Sequence, residues 1–309
     1  MISIVIVNWN SGGLLEKCIR SLSANAEDCQ VTIVDNASAD SSLDFLDCSA
    51  PVVSILRNER NLGFAAGCNL GWRASNGDHV LFLNPDTECL PGSASRLQHT
   101  FELDPTIWAA GGRLIHSHGK SRTDFNVRSF PSLASVAADA FFIEEIWPSN
   151  PWSHLVRLDE VHTPVDVDQP AAACLMVSKT ALESTGGFDE NFYPAWFEDV
   201  DLCRRIRQLG GRIRYQPEAE FVHHGGYSLE LMSRQDFLES FHTNQIRYFL
   251  KHHGPGAAAR VRRLILAGLY LRTGLSMIHS PVRGLSRAAA VQTFWNAARY
   301  IADFREAGK

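Results

Sequence analysis

The sequence predicts an α/β protein built around a mostly parallel sheet, and two features of the chain support that class. Short apolar runs rich in β-branched residues recur along its first third, at Ile2–Val7, Val31–Val34, Val52–Leu56 and His79–Leu83. The segments between those runs carry apolar residues at helical spacing, so strands and helices alternate. Alternation of this kind is typical of βαβ units, in which helices cover a parallel sheet.

The elements between these strands follow in a regular order. Residues 14–22 have the apolar spacing of a helix, and a second helix is expected around Leu43–Leu46. A third helix should begin at the Asn61–Phe64 turn and end near Ala74. The run Gly63-Phe64-Ala65-Ala66-Gly67 is neither a dinucleotide fingerprint nor a phosphate loop, so its two glycines are best explained by close packing.

The second half of the chain is less regular. Residues 123–168 are rich in proline and aromatic residues, and we predict a long loop region over a binding face. Order returns at residues 171–177. Residues 198–209 then predict a helix that ends at Gly210, with an apolar stripe formed by Val200, Cys203, Ile206 and Leu209.

Composition places the chain among globular proteins. Its 309 residues are 45% hydrophobic and 20% charged, which suits one large domain or two modest ones and argues against disorder. Seven scattered cysteines, an odd number, indicate a reduced intracellular protein without a disulfide or zinc framework. Strand-like residues begin at Ile2, so no signal peptide is expected, and no apolar run is long enough for a spanning helix.

Charge is distributed unevenly. Residues 254–309 carry nine Lys and Arg against Asp303 and Glu306, a net charge of +7, which leaves −12 for residues 1–253. We therefore predict a main domain, 1–253, divided into halves 1–120 and 121–253, and a basic helical extension, 254–309. The helix expected at 257–278 either lies on an anionic bilayer or packs on the domain with its arginines in solvent.

An acidic turn follows the fourth predicted strand. Asn84-Pro85-Asp86 cannot continue a strand, so Asp86 and Glu88 are held at the carboxyl end of the sheet, where α/β proteins bind ligands. A carboxylate at this position usually binds a cation or exchanges a proton. A solvated turn without such a role would have the same sequence.

Other strand ends should share that edge. Asn8, Asp35 and Arg57 close the first three strands. A carboxylate such as Asp35 commonly accepts hydrogen bonds from a ribose or a base in nucleotide-binding sheets. Helix capping by Asp35 and Asn36 is the alternative.

A second acidic cluster and a pair of histidines come later. Trp196 and Phe197 precede Glu198 and Asp199 in the first turn of a predicted helix. Aromatic rings beside carboxylates suit a sugar, and a general base would have to reach an acceptor hydroxyl there. The alternative for at least one of these acids is that it caps the helix. His223 either lies on the surface or joins Asp86 on a divalent ion.

With these motifs in place, the chain resembles the family 2 glycosyltransferases of GT-A fold, close to the bacterial rhamnosyltransferase-like branch. The resemblance is collinear over residues 2–228. It rests on Ile4–Asn10, Val34–Ser38, Asn61–Ala65 with Asn69 and Gly71, Leu83–Asp86, Gly187–Glu190, Glu198–Leu202, and His223 with Gly226 and Ser228.

The resemblance implies a Rossmann-like, mostly parallel sheet flanked by helices and a set of residue roles. Asp199 would be the catalytic base, and its helix start should keep it ionised. Asp86 and His223 would hold Mg²⁺ or Mn²⁺ at the donor diphosphate, while Trp196 and Glu198 would bind the acceptor. The nucleotide sugar would be bound by Asn8, Asp35, Asn36, Arg57, Asn61, Gly63, Phe64, Asn69, Asn84 and Asp86.

The implied reaction is inverting transfer of a sugar, rhamnose in the first instance, from a nucleoside-diphosphate sugar to a glycan or lipid-linked glycan in cell-surface polysaccharide synthesis. Nucleic acid is not an expected partner. The expected location is the cytoplasm or the inner face of the cytoplasmic membrane. A UDP-hexose or galactofuranose donor is the alternative within this chemistry, and a non-catalytic sugar-nucleotide or glycan-binding protein is the alternative outside it.

Two departures from the family pattern stand out. Many glycosyltransferases have Asp-x-Asp where this chain has Asn84-Pro85-Asp86, so a metal would have one carboxylate fewer, and Glu88 remains an outside candidate. The segment 169–174 stands where relatives often show a Gly-Ala pair facing the acceptor, so the acceptor pocket is expected to differ.

Overall fold

A computed structural model describes residues 1–25, 29–47, 53–119, 126–158, 161–225, 232–278 and 285–305. The chain forms two compact units. Unit 1 consists of Met1–Phe130, Leu155–Pro194 and Glu198–Ser228. Unit 2 consists of Pro131–His154, Ala195–Phe197 and Leu229–Lys309. The domain boundary predicted after residue 253 stays a prediction.

Strands and helices alternate through the chain. The strands are β1 Ile2–Asn8, β2 Cys29–Asp35, β3 Val53–Arg57, β4 His79–Leu83, β5 Thr87–Cys89, β6 Ile107–Ile115, β7 Val127–Arg128, β8 Val165–Asp166, β9 Gln169–Pro170, β10 Cys174–Ser178 and β11 Arg212–His223. The helices are α1 Leu14–Asn25, α2 Phe64–Arg73, α3 Ser93–Leu103, α4 Leu133–Ala140, α5 Ile143–Ile146, α6 Lys179–Thr185, α7 Glu198–Gln208, α8 Arg234–His253, α9 Pro255–Ile278 and α10 Arg287–Asp303.

Unit 1 is built on one mixed sheet. Its strand order is β3-β2-β1-β4-β10-β6-β11-β5, with β8 paired to β11. The first four strands are parallel, while β10 runs antiparallel between β4 and β6. A separate two-stranded ribbon pairs β7 with β9. The predicted sheet is therefore confirmed in its parallel half.

The register of the parallel strands aligns their polar ends. Asn8 lies opposite Asp35 on the neighbouring strand, and Asp35 lies opposite Arg57 on the next. In β1 and β2 the residues just before these ends are buried and mostly β-branched or apolar, which fixes both strands in the core, whereas the edge strand β3 is half-buried or exposed. The expectation that these three residues share one edge of the sheet is confirmed.

Helix α2 packs closely on β1 through two glycines. A Cβ atom on Gly71 would lie 2.2 Å from Cγ1 of Val5, and one on Gly67 would lie 2.7 Å from Cγ1 of Val7. Both distances are far below van der Waals contact. The close-packing explanation for the glycines of this segment is confirmed.

Three expectations about local structure are wrong. The segment around Leu43–Leu46 forms only a short 3₁₀ turn, Asp44–Asp47, because its apolar residues span too little chain for a stable helix. The region 123–168 is not a long loop among its described residues, since it contains α4, α5 and two short strands. Leu209 is exposed, because α7 ends one residue before it.

Unit 2 consists of helices α4, α5, α8, α9 and α10. A Cβ on Gly268 of α9 would lie 2.8 Å from the carbonyl oxygen of Ala140 at the end of α4. The guanidinium of Arg272 donates at 2.7 Å to the carbonyl oxygens of Asp139 and Ala140, so it satisfies the last turn of α4. Among the residues described, no helix combines the length and apolar character that a membrane crossing requires.

Candidate active site

A buried polar network lies at the ends of β1 and β2. The Asn8 side chain donates at 3.0 Å to Oδ1 of Asp35 and also contacts the hydroxyls of Ser38 and Ser42. The amide nitrogen of Ser38 lies 3.4 Å from the other Asp35 oxygen. Asn8 thus orients the Asp35 carboxylate, which is buried at the sheet edge.

A second set of amides fixes the turn that begins α2. The Asn36 side chain donates to the carbonyl oxygen of Gly63 at 3.1 Å, and Asn61 accepts from the Gly63 amide at 2.8 Å. Gly63 has a φ of +87°, and a Cβ there would lie 2.9 Å from the carbonyl oxygen of Pro194. The adjacent Phe64 amide donates to that same carbonyl at 2.8 Å. Only glycine allows this conformation and this approach.

Asp86 and His223 meet because β5 and β11 are antiparallel. The pairing sets His223 opposite Thr87, so the last residue of β11 reaches the residue before β5. His223 Nε2 lies 3.3 Å from Asp86 Oδ1, and the Gly225 amide donates to Oδ2 at 3.1 Å. Burial raises the pKa of Asp86, but His223 and these backbone groups outweigh it and the net pKa is lowered.

The two donor atoms fit a divalent ion. Adjacent ligands of an octahedral ion at ~2.1 Å are about 3.0 Å apart, close to the 3.3 Å between His223 Nε2 and Asp86 Oδ1. An ion held by one carboxylate and one imidazole needs its remaining ligands from elsewhere. The Glu88 carboxylate contacts a different histidine, with Oε1 2.6 Å from His224 Nε2.

Another group of potential ligands lies in unit 2. The side-chain donor atoms of Asp139, Glu144 and His154 lie within 4.8 Å of one another. His154 Nδ1 is 3.9 Å from Asp139 Oδ2, and Asn150 donates to Glu144 at 3.3 Å. This cluster includes neither Asp86 nor His223.

Asp199 is the second residue of α7 and is half-buried. Gln169 donates to its Oδ2 at 2.7 Å, and the Val200 amide donates to its Oδ1 at 2.8 Å. Burial raises the pKa of Asp199, and the positive charge of Arg128 and the backbone donors offset this only in part. The net pKa is raised, which is opposite in direction to the effect expected from the helix start.

The other two acids of this cluster have different environments. Asp201 is fully buried and pairs with Arg205, whose Nη2 is 2.7 Å from Oδ2, so it serves the structure of α7. Glu198 is buried, and its Oε2 has no hydrogen-bond partner among the described residues. Burial, and after it the charge of Asp199, raises the pKa of Glu198 well above its ordinary range.

The segment before β10 connects Asp199 with the acidic turn. Gln169 donates to Asp199, and the backbone of Ala172 lowers the pKa of the same carboxyl group. The Ala173 carbonyl accepts from the Asn84 amide at 3.1 Å. Asn84 itself leads into Asp86. The candidate base and the candidate metal ligand are therefore anchored to one short stretch of unit 1, residues 169–173.

Sequence reasoning gave no role to Gln169 or Arg128 at Asp199. They lie directly opposite each other in the β7–β9 ribbon, so both side chains project from the same face. The two residues are far apart in the sequence and no motif joins them. Only the strand pairing identifies them as neighbours.

Trp196 belongs to unit 2 and packs there. Its ring meets Phe237 edge to face at a centroid distance of 5.0 Å. Both Trp196 and Phe197 have a φ of +73°. A positive φ in a bulky residue costs about 1–3 kcal/mol and tends to occur near functional sites. The backbone is thus strained immediately before the acidic start of α7.

The remaining predicted residues lie in varied places. Asn69 is buried, and its side-chain amide forms hydrogen bonds with the backbone of Phe188 and with Glu190. It therefore stabilises the turn at residues 187–190 and is not part of the polar network at the sheet edge. Arg57 is exposed at the end of β3. The residues Gly226 and Ser228 of the His223 motif lie outside the described residues.

The sheet, its polar edge and the acidic helix start are the features expected of a fold of GT-A type. Residues 3–157, slightly more than half of the chain, match the family model described as glycosyl transferase family 2. The chain belongs to that family, and the predicted family is confirmed.

Two bacterial relatives are similar to most of the chain. It is 28% identical over 296 residues to an N-acetylglucosaminyl-diphospho-decaprenol L-rhamnosyltransferase of Mycobacterium tuberculosis, covering 92% of this chain and 94% of that protein. It is 24% identical over 232 residues to the rhamnosyltransferase WbbL of Escherichia coli, covering 72% and 83%.

A solved structure with a similar fold is that of a mannosyltransferase from Pyrobaculum calidifontis in complex with GDP-Man and Mn²⁺. It superposes with a TM-score of 0.55 at 15% identity and covers 99% of this chain and 76% of that one. This likeness concerns the fold, and it confirms the GT-A prediction.

Proposed function

We propose that this glycosyltransferase moves rhamnose, with inversion and with the help of a divalent metal, from a nucleoside-diphosphate sugar to a lipid-linked glycan. The observation that carries the proposal is the anchoring of Asp199 and the Asn84–Asp86 turn to one stretch, residues 169–173. In a single displacement, the general base that deprotonates the acceptor must lie near the site that binds the donor diphosphate. The choice of rhamnose rests on the two relatives that are named as rhamnosyltransferases.

The donor nucleoside would bind at the ends of β1–β3. Asp35 offers a carboxylate whose orientation is fixed by Asn8, and such an acid suits ribose hydroxyls or a base edge. Gly63 brings backbone close to the same edge. Arg57, exposed on the neighbouring strand, could meet donor charge there.

Asp86 and His223 would hold Mn²⁺ or Mg²⁺. A bound cation of this kind offsets the negative charge that builds on a departing diphosphate. The lowered pKa of Asp86 keeps the carboxylate in the form that binds metal. An imidazole beside the carboxylate favours Mn²⁺ over Mg²⁺, since nitrogen ligands suit transition metals.

Asp199 would accept the proton of the acceptor hydroxyl. The hydroxyl oxygen forms its bond to the anomeric carbon as the bond from that carbon to the diphosphate oxygen breaks on the opposite face. The anomeric centre is inverted, and the electron pair leaves on the diphosphate. A raised pKa makes Asp199 a stronger base than an ordinary aspartate, provided that it is ionised when the acceptor binds.

The acceptor would be bound beside this base. Trp196, whose backbone is strained, and Glu198 both precede Asp199 in the sequence, and a carboxyl group with an aromatic ring suits a sugar. The mycobacterial relative is named for a diphospho-decaprenol acceptor. We infer an acceptor of the same class, reached from the cytoplasmic side of the membrane.

The experiment compares wild type with Asp199→Asn. We expect transfer to fall by about 10²–10⁴-fold, because proton removal by a positioned base contributes that much. Donor binding, measured by thermal shift with Mn²⁺, should be unchanged. A fully active Asp199→Asn variant would refute the assignment of the base.

A thermal-shift panel of nucleoside diphosphates with and without Mn²⁺ tests the donor separately. We expect dTDP to stabilise the protein more than UDP or GDP. A preference for UDP would favour the hexose or galactofuranose alternative, and no stabilisation by any nucleotide would favour a glycan-binding protein without transfer activity.

A further inference from the structure

Helix α9 has a buried apolar side and an exposed side that is apolar towards its C-terminal end. Its inner side, which includes Val261, Ile265 and Leu269, is buried within unit 2. Its outer side exposes Leu275 by 42% and Ile278 by 79%. The sequence left open whether this helix packs on the protein or contacts a membrane. Packing uses the inner side, so the outer side stays exposed among the described residues, and it is apolar in the C-terminal half of the helix.

The exposed residues form one strip. Positions 260, 263, 267, 271, 275 and 278 recur every three or four residues, so they lie along a single face of the helix. Leu271, Leu275 and Ile278 occupy its C-terminal half, and Arg260 and Arg263 are exposed in its N-terminal half. We call this face the outer strip.

An aromatic pair borders the outer strip. The rings of Tyr270 on α9 and Trp295 on α10 lie 5.8 Å apart, and both are about half exposed. Tyr and Trp rings favour the headgroup region of a bilayer, where one part of the ring is dry and another is hydrated. Their place beside exposed leucines matches that environment.

Charge identifies the occupant. Pro255–Ile278 contains four arginines and no acidic residue. Within the described part of the chain, Arg260 and Arg263 form no ion pair, and Arg260 bonds only to the Gly256 carbonyl of its own helix. Two positive side chains followed by three large aliphatic ones complement an anionic surface with an apolar interior.

A second copy of the chain fits the outer strip poorly. Two strips in parallel would set arginines against arginines, and two strips in antiparallel orientation would set arginines against leucines. A lipid surface has neither conflict, because headgroups meet the arginines while acyl chains meet the aliphatic side chains.

We propose that the outer strip of α9 docks unit 2 on the surface of an anionic bilayer, with Leu271, Leu275 and Ile278 inserted and Arg260 and Arg263 at the headgroups. The helix lies in the plane of the surface and does not cross it. This proposal goes beyond the transfer reaction and does not depend on it.

The test is sedimentation of the full chain with vesicles that contain no acceptor. We expect wild type to bind phosphatidylglycerol-containing vesicles and to bind pure phosphatidylcholine weakly. Leu271→Gln/Leu275→Gln/Ile278→Gln should lower the partition coefficient by at least about tenfold, since each buried aliphatic side chain contributes on that order. Arg260→Gln/Arg263→Gln should weaken binding only to anionic vesicles, by about fivefold per arginine.

A matched control is the pair Leu103→Gln/Leu209→Gln, which removes exposed leucines from unit 1. It should bind vesicles like wild type. Equal binding by the triple variant and wild type would overturn the proposal. So would a triple variant that binds vesicles normally but loses self-association in sedimentation velocity, because that result assigns the strip to a second copy.

These surface variants are better tests than deletion of residues 254–309. Deletion removes the buried inner side of α9 together with the outer strip, so lost membrane binding could follow from misfolding. The Gln variants replace exposed side chains only, and an unchanged melting temperature verifies their folding. Transfer to a water-soluble acceptor should also be unchanged, which separates failure of this proposal from failure of the proposed function.

Discussion

Asp199 is subject to two opposing electrostatic effects. Burial raises its pKa, while Arg128 and the backbone donors lower it. Gln169 adds a hydrogen bond of 2.7 Å that favours the ionised form. The balance determines the pH at which the base becomes available, so the β7–β9 ribbon should control the acid side of the pH profile.

Replacing Arg128 tests this balance. In Arg128→Gln the charge that lowers the pKa of Asp199 is lost, so less Asp199 is ionised at low pH. We expect the acid limb of the kcat/KM profile to move to higher pH by about one unit, within the range for loss of a nearby opposite charge. Activity well above that limb should be largely retained.

Arg128→Lys is the matched control, because it keeps the charge. Its acid limb should lie near that of wild type. If both variants lose activity equally at every pH, Arg128 supports the fold or the substrate and does not tune the base.

The protonation state of Glu198 should make the free energy of unfolding depend on pH. An acid whose pKa is raised in the folded state binds its proton more tightly there, so stability falls as pH rises from the ordinary glutamate value, about 4.3, towards the raised one. Glu198→Gln cannot ionise and avoids that loss. We expect its melting temperature to match wild type near pH 4 and to exceed it at neutral pH. The corresponding increase in the free energy of unfolding at neutral pH should be about 1–3 kcal/mol.

The comparison variant for this prediction is Glu183→Gln, which neutralises an exposed glutamate on α6. Its melting temperature should follow wild type across the same pH range. A Glu198→Gln variant whose difference from wild type does not change with pH would show that the Glu198 carboxyl is ionised and solvated in the folded protein.

At the scale of elements, the pairing of β11 with β5 assigns different partners to two adjacent histidines. Successive residues of a strand project to opposite faces, and here His223 meets Asp86 while His224, just beyond the strand, meets Glu88. The resemblance selected His223 by its spacing and gave His224 no role. The register assigns only His223 to the candidate metal site.

Metal titration of two variants checks this assignment. His223→Gln removes a nitrogen ligand, so the Mn²⁺ concentration for half-maximal activity should rise at least about tenfold. His224→Gln breaks the contact with Glu88 but leaves the Asp86 site intact, and its Mn²⁺ dependence should stay near wild type. Equal responses from the two variants would contradict the assignment.

At the scale of the whole molecule, the two units have different proposed roles. Asp35, Asp86, Asp199 and His223 all belong to unit 1. The outer strip of α9 belongs to unit 2, together with the residues 131–154 that the sequence placed in a loop. The buried contact of Gly268 with Ala140 joins this segment to the C-terminal helices.

Deletion of residues 254–309 tests the predicted boundary after residue 253. The truncated chain loses Arg272, which caps the carbonyl groups of α4, and the packing of Gly268 on the same helix. We expect limited proteolysis to cut faster within residues 131–154, while a nucleoside diphosphate still stabilises unit 1. A truncated chain with unchanged resistance at 131–154 would support the boundary at 253.

The sequence alone determined the parallel half of the sheet, because buried parallel strands need continuous apolar runs such as Ile2–Val7. It also located Asp35 and Asp86, since polar residues that interrupt such runs must lie at strand ends. The close packing at Gly63 and at the glycines of α2 could also be predicted, because a glycine in or next to an element usually marks a close approach of another segment. The prediction of a long loop at 123–168 was wrong, because the prolines and aromatic residues around the eight-residue helix α4 are typical of loops.

The tertiary structure decided which polar groups meet. Antiparallel strands joined His223 to Asp86 across a long stretch of sequence, and the ribbon placed Arg128 beside Gln169 at Asp199. It also reversed the expected effect on Asp199, because burial depends on what packs around the carboxyl group and outweighed the local effect of the helix start. Sequence pattern encodes local conformation, whereas proximity and dielectric environment arise only when distant segments pack together.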